Sequence, residues 1–160
     1  MGSILVRFAF GFLGFSALLI SWNVAHLMIQ DFGASIAPIQ QSELAEDRIY
    51  AYRHWQSVGI RVEKYDFIDV RATGKWLYTP GEYHGPEGHP YFYAPPFYPA
   101  PGPSGALIGR VGEEGEAFFI GRGMGFPAGR DGLLYLSIND DVLSDNDGYM
   151  VVEVAVTEAE

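Results

Sequence analysis

Apolar and polar residues alternate with a period of two along much of the chain beyond Gln56. Ile60 and Val62 are interleaved with Arg61 and Glu63, and Ile68, Val70 and Ala72 with Asp69, Arg71 and Thr73. A side-chain period of two marks a strand with one buried face. Runs at 105–111, 117–120, 133–138 and 149–156 predict further strands, each bounded by turn residues. No helical period separates them, which argues against a parallel α/β sheet. The expectation is an all-β fold, a small antiparallel β-sandwich over residues 57–160.

The pattern changes toward the N-terminus. Over residues 8–29 the only ionisable side chain is His26. Those residues rise about 33 Å as a helix, close to a hydrocarbon core of about 30 Å, and predict one transmembrane anchor within residues 1–30. A cleaved signal peptide would carry a shorter apolar region, and the best small pair, Ser35 and Ala37, runs into Pro38. Arg7 before the span and Asp31 after it place the N-terminus in the cytoplasm and the rest in the periplasm or outside the cell. Gly14, Ala17, Ser21 and Ala25 form a small-residue stripe on which other transmembrane subunits, rather than lipid alone, could pack. Asn23 and His26 are polar within the span. His26 reads as an interfacial histidine in preference to a ligand of a haem or pigment, because it lies near the helix end. Residues 31–56 read as a connector. Ser42 as an N-cap, with Glu43, Glu46 and Asp47 behind it, predicts a helix of two to three turns presenting Leu44, Arg48, Ile49, Tyr52 and Trp55.

Composition narrows the function. The net charge of −10 leaves no basic stripe for nucleic acid and no electrostatic attraction to anionic lipid. Cysteine is absent, so disulfides and thiolate metal sites are excluded. Residues 79–104 hold eight of the ten prolines together with Tyr83, Tyr91, Phe92, Tyr93, Phe97 and Tyr98. So long an insertion is either a binding lobe or a cap on one end of the sandwich. Between two predicted strands, residues 139–148 carry four Asp and two Asn. Hard oxygens at that density suit Ca²⁺, although the offsets of an EF-hand are missing; the plain alternative is a solvated acidic turn. Catalysis has little support. There is no nucleophile elbow and no phosphate-cradling loop, and His84 and His89 find no zinc set in the sequence.

Five stretches occur in a telling order: Asp66 to Trp76, Gly85 to Gly88, Gly105 to Gly112, Gly132 to Asp140, and Asp145 to Gly148. Over residues 58–156 this order resembles the calcium-dependent, galactose-binding PA-I type lectin family. The resemblance implies an antiparallel sandwich with Ca²⁺ at one end. It implies as ligands Asp140, Asp145, Asn146, the Tyr78 carbonyl and a carbonyl from Leu143 or Ser144. The loop is two residues shorter than the family's. The resemblance further implies sugar contacts from His89 and Pro90 beside Asp140 and Asp145, with Phe92 standing where the family has a sugar-contacting Gln. Two readings follow. The preferred one is a non-enzymatic accessory subunit of a larger membrane complex, photosynthetic or respiratory, with its sandwich outside the cytoplasm. The other is a membrane-tethered lectin for galactosides.

Overall fold

One long strand, Asp147–Thr157, holds together half of the molecule. The computed structural model describes residues 43–160, with side chains described from Glu46 onward. In chain order the strands are β1 (Glu43–Tyr50), β2 (Gln56–Val62), β3 (Phe67–Thr79), β4 (Glu82–His84), β5 (Leu107–Val111), β6 (Phe118–Phe119), β7 (Gly123–Pro127), β8 (Gly132–Ile138) and β9 (Asp147–Thr157). The first sheet runs β1-β9-β3-β4, with β7 also paired to β3; the second runs β2-β8-β5-β6. All pairings are antiparallel.

The alternation read from the sequence is the alternation of burial. Ile60, Val62, Ile68, Val70, Leu134, Leu136, Ile138, Val152 and Val154 all point between the sheets. Each such side chain contributes about 1.5–3 kcal/mol of transfer free energy, which is why strand register is fixed so firmly. Trp76, fully buried, fills the centre, and its Nε1–H donates to the Gly105 carbonyl at 2.8 Å. That bond ties the first sheet to the segment entering β5.

The helix expected from Ser42 onward is not formed. Glu43–Tyr50 is instead an edge strand, paired residue for residue with β9 from Glu43↔Val156 to Tyr50↔Tyr149. The sandwich therefore begins near Glu43 and not at residue 57. Capping residues gave a local helical preference, but without β1 the free edge of β9 would leave a row of backbone donors and acceptors unpaired. Exposed Glu46, Asp47 and Arg48 protect the new edge from further pairing. Arg48 also lies over the Tyr149 ring, 4.8 Å from its centroid.

The 79–104 insertion has pairing of its own. It opens with a hairpin, in which β4 pairs with the end of β3. The remainder is folded back by the Tyr93↔Pro103 bridge and by Ala94 N–H to Gly102 O at 2.7 Å.

The transmembrane span, the stripe of Gly14, Ala17, Ser21 and Ala25, and His26 lie outside the described residues. Among the described residues no helix is long and apolar enough to cross a membrane.

Candidate functional site at the Asp140 end

The acidic stretch after β8 folds inward. Asn139 is fully buried and Asp140 nearly so. Asn139 does not face a ligand. Its Nδ2 donates to the carbonyls of Ala100 (3.0 Å) and Pro103 (3.2 Å), and its Oδ1 accepts from Ala100 N–H (3.1 Å). Its backbone bonds Gly105 and Ala106 as well. One side chain thus fastens the Pro/aromatic lobe to β8.

Asp140 takes the next position. Its Oδ1 accepts the N–H groups of Asp141 (2.8 Å) and Val142 (3.4 Å), and its Oδ2 accepts Asn146 Nδ2 at 2.8 Å. Asn146 is buried, and its Oδ1 has no hydrogen-bond partner. A bare amide oxygen in the interior loses its hydration without return, so the position calls for an electropositive partner. Turning the amide would bring its oxygen against the Asp140 carboxylate, which only a cation between them would stabilise.

The other residues of the implied ligand set lie in the following turn and on β3. Leu143, Ser144 and Asp145 form a single 3-10 turn between β8 and β9, with Ser144 and Asp145 exposed. That turn contacts β3. Tyr78 lies at the register shift between Leu77 and Thr79 opposite β4. Its buried ring meets His84 and His89 edge-on at 5.8 and 6.5 Å. The donor set is carboxylate, amide and carbonyl oxygen throughout, the chemistry of a hard cation such as Ca²⁺.

Tyr98 is the residue that the sequence concealed. Burial, then hydrogen bonding with Tyr78 and the charge of Asp140, raise its phenol well above the ordinary tyrosine range. The phenol is therefore a neutral hydroxyl at the edge of the site. No spacing rule connects a tyrosine in a proline-rich loop with an aspartate beyond β8. Only the Asn139 clamp does so.

On the far side of Tyr78, His89 is buried and its Nδ1 accepts the backbone N–H groups of Tyr91 (3.1 Å) and Phe92 (3.2 Å). Phe92, in place of the family's Gln, lies across the His89 ring with centroids 4.4 Å apart. Pro90 is exposed beside it. Glu82, His84 and His89 also come together, with potential ligand atoms all within 4.8 Å of one another. By distance the trio could hold a metal ion, but the proton count opposes it. With Nδ1 accepting two bonds, the neutral ring carries its hydrogen on Nε2, the atom 3.5 Å from Glu82 Oε2. A ligating histidine needs that nitrogen bare and normally donates from the other one. Glu82 Oε2 lies 3.3 Å from His84 Nε2 and 3.5 Å from His89 Nε2, and His84 Nε2 has no hydrogen bond.

No protein-family model and no curated protein matches this chain. Among solved structures the fold is similar to one described as "EclA N-terminal domain; PllA-like lectin". The TM-score is 0.56 at 19% identity, covering 70% of this chain and 95% of that one. The sandwich is lectin-like. At that identity the likeness is one of fold, and it does not single out the PA-I type family.

Proposed function

We propose that this chain is a non-enzymatic lectin-type recognition module, tethered by its N-terminal segment, that binds a saccharide through Ca²⁺ at the Asp140 end. The observation that carries the reading is the partnerless, buried Asn146 Oδ1 beside the buried Asp140 carboxylate. Asp140, Asp145, Asn146 and the carbonyls of Tyr78 and of Leu143 or Ser144 would hold the ion. A bound Ca²⁺ supplies open positions for sugar hydroxyl oxygens. The exposed Pro90 ring would orient the sugar, with buried His89 holding the turn behind it through its Nδ1. The lectin-like fold supports the same conclusion, as does the direction of β1. That strand enters at the Val156 end of β9 and reaches the site end only at Ala51, whose N–H bonds Gly148 O. Whatever precedes Glu43 thus joins the sandwich roughly 25 Å along the strand from the Asp140 site. The test is a glycan array probed with calcium and with chelator. Galactosides should bind in calcium alone; absence of any glycan binding in calcium removes the proposal.

The accessory-subunit reading keeps one observation of its own. Tyr91, Phe92, Tyr93 and Phe97 are 62–85% exposed on a lobe without a charged side chain from Pro90 to Gly109. Exposed rings held on a rigid loop are the usual material of a protein interface. If the chain belongs to a membrane complex, Ser21→Leu in the small-residue sequence stripe should release it in mild detergent while the sandwich stays folded. Copurification equal to wild type would remove this second reading.

A further inference from the structure

A second recognition surface lies behind His89 and Pro90, at a break in the edge of the first sheet. On the side of β3 away from β9, β7 covers Phe67 to Arg71 and β4 resumes at Trp76. Between them Ala72 still donates its N–H to Arg122 O at 2.9 Å. Gly74, at φ +112°, departs from regular strand geometry in the gap between them. No strand lies opposite it on that side. Gly74 borders a cleft of about 470 Å³ lined also by Lys75, Tyr83, His84, Pro90 and Arg122.

The charges in this cleft are unlike those of the chain as a whole. Arg122 is matched by Glu87 at 2.7 Å. Partial burial works against the Glu87 carboxylate, but the Arg122 hydrogen bond and charge outweigh it and hold the carboxyl below its usual range, so that pair stays ionised and neutral overall. Lys75 is left over. Among the described residues its ammonium meets no carboxylate. In a chain of net charge −10 this is a local positive site. Tyr83 adds an exposed ring on the same face of the sheet as Lys75, and Pro90 forms the rim. A flat ring and a proline suit the C–H face of a pyranose; an ammonium suits a carboxylate.

We infer that this cleft is a subsite for an acidic sugar unit, a uronate extending a saccharide held at Asp140. The inference rests on the proposed lectin reading and specifies its ligand. His84 and Pro90 line the cleft, and the His84 ring lies 4.7 Å from that of His89 (centroids), so a ligand passing over Pro90 would enter it.

The experiment is calorimetry on the full-length protein in detergent with calcium. One probe is a neutral galactose disaccharide, and the other is the same disaccharide with its second unit oxidised to galacturonate. The uronate form should bind about tenfold more tightly, as expected when a charge-assisted hydrogen bond is added. That preference should fade at high ionic strength. Lys75→Met should abolish it without altering neutral binding, and Lys75→Arg should retain most of it. Equal affinity for the two probes, or a uronate preference that survives Lys75→Met, overturns the subsite and leaves the Asp140 reading intact. Binding of neither probe overturns both.

Discussion

Replacing Asn139 by Leu is expected to lower the unfolding free energy of the compact unit Gln40–Glu160 by about 3 kcal/mol or more. Leucine keeps the branched skeleton of asparagine but is bulkier, so some overpacking adds to the lost hydrogen bonds at this fully buried position. The substitution strands the Ala100 N–H, the Ala100 carbonyl and the Pro103 carbonyl, all of which Asn139 serves now. Each buried polar group left without a partner costs about 1–3 kcal/mol, reduced where the loosened lobe admits water. Urea unfolding followed by tryptophan fluorescence measures it. The same variant should free the lobe, so that proteolysis cuts between Pro90 and Ser104 before the sandwich unfolds. A stability loss under about 1 kcal/mol with an uncut lobe would show that the clamp is not what holds the insertion.

Trp76→Ala is expected to have the larger effect. A fully buried tryptophan replaced by alanine costs about 3–5 kcal/mol through lost burial and the cavity left behind. The bare Gly105 carbonyl adds about 1–3 kcal/mol. The sum approaches the whole stability of an ordinary domain, so the variant should be largely unfolded at room temperature. Trp76→Phe keeps an aromatic ring and most of the apolar volume while losing the bond and leaving a small cavity. It should fold and be destabilised by about 1–3 kcal/mol. Wild-type stability in Trp76→Phe would mean that the bond between β3 and the β5 entry is idle.

These two residues show what a sequence can and cannot disclose. The alternation at Ile68, Val70, Leu134, Leu136, Val152 and Val154 was legible because burial on one face of a strand forces a period of two, whatever the strand pairs with. β1 was not legible. Ser42, Glu43 and Glu46 satisfy the local rules of a helix start, while the reason for a strand lies more than a hundred residues away in β9. The short β7 escaped notice because Gly123, Met124 and Gly125 alternate in nothing, being exposed on both faces. At the candidate site, Asp140 and Asn146 could be picked out by type and order. Asn139 was grouped with them as an oxygen donor, yet its oxygen is spent on Ala100. Tyr98 was read only as loop surface. Its place beside Asp140 follows from a clamp between residues 39 positions apart, which no short motif encodes.

The central claim is that Asp140 and Asn146 mark a cation site and are not simply a hydrogen-bonded turn. The direct measurement is the melting temperature of the unit Gln40–Glu160 in calcium and in chelator, for the wild type and for Asp140→Ala. At calcium a hundredfold above its dissociation constant, the wild type should gain about 2.7 kcal/mol over the chelated protein. Asp140→Ala should melt lower in both buffers, having lost a buried hydrogen-bonded carboxylate, and should show no difference between them. A wild-type melting curve indifferent to calcium would contradict the account, and Asn146 Oδ1 would then stand as an uncompensated polar atom in a turn that binds nothing.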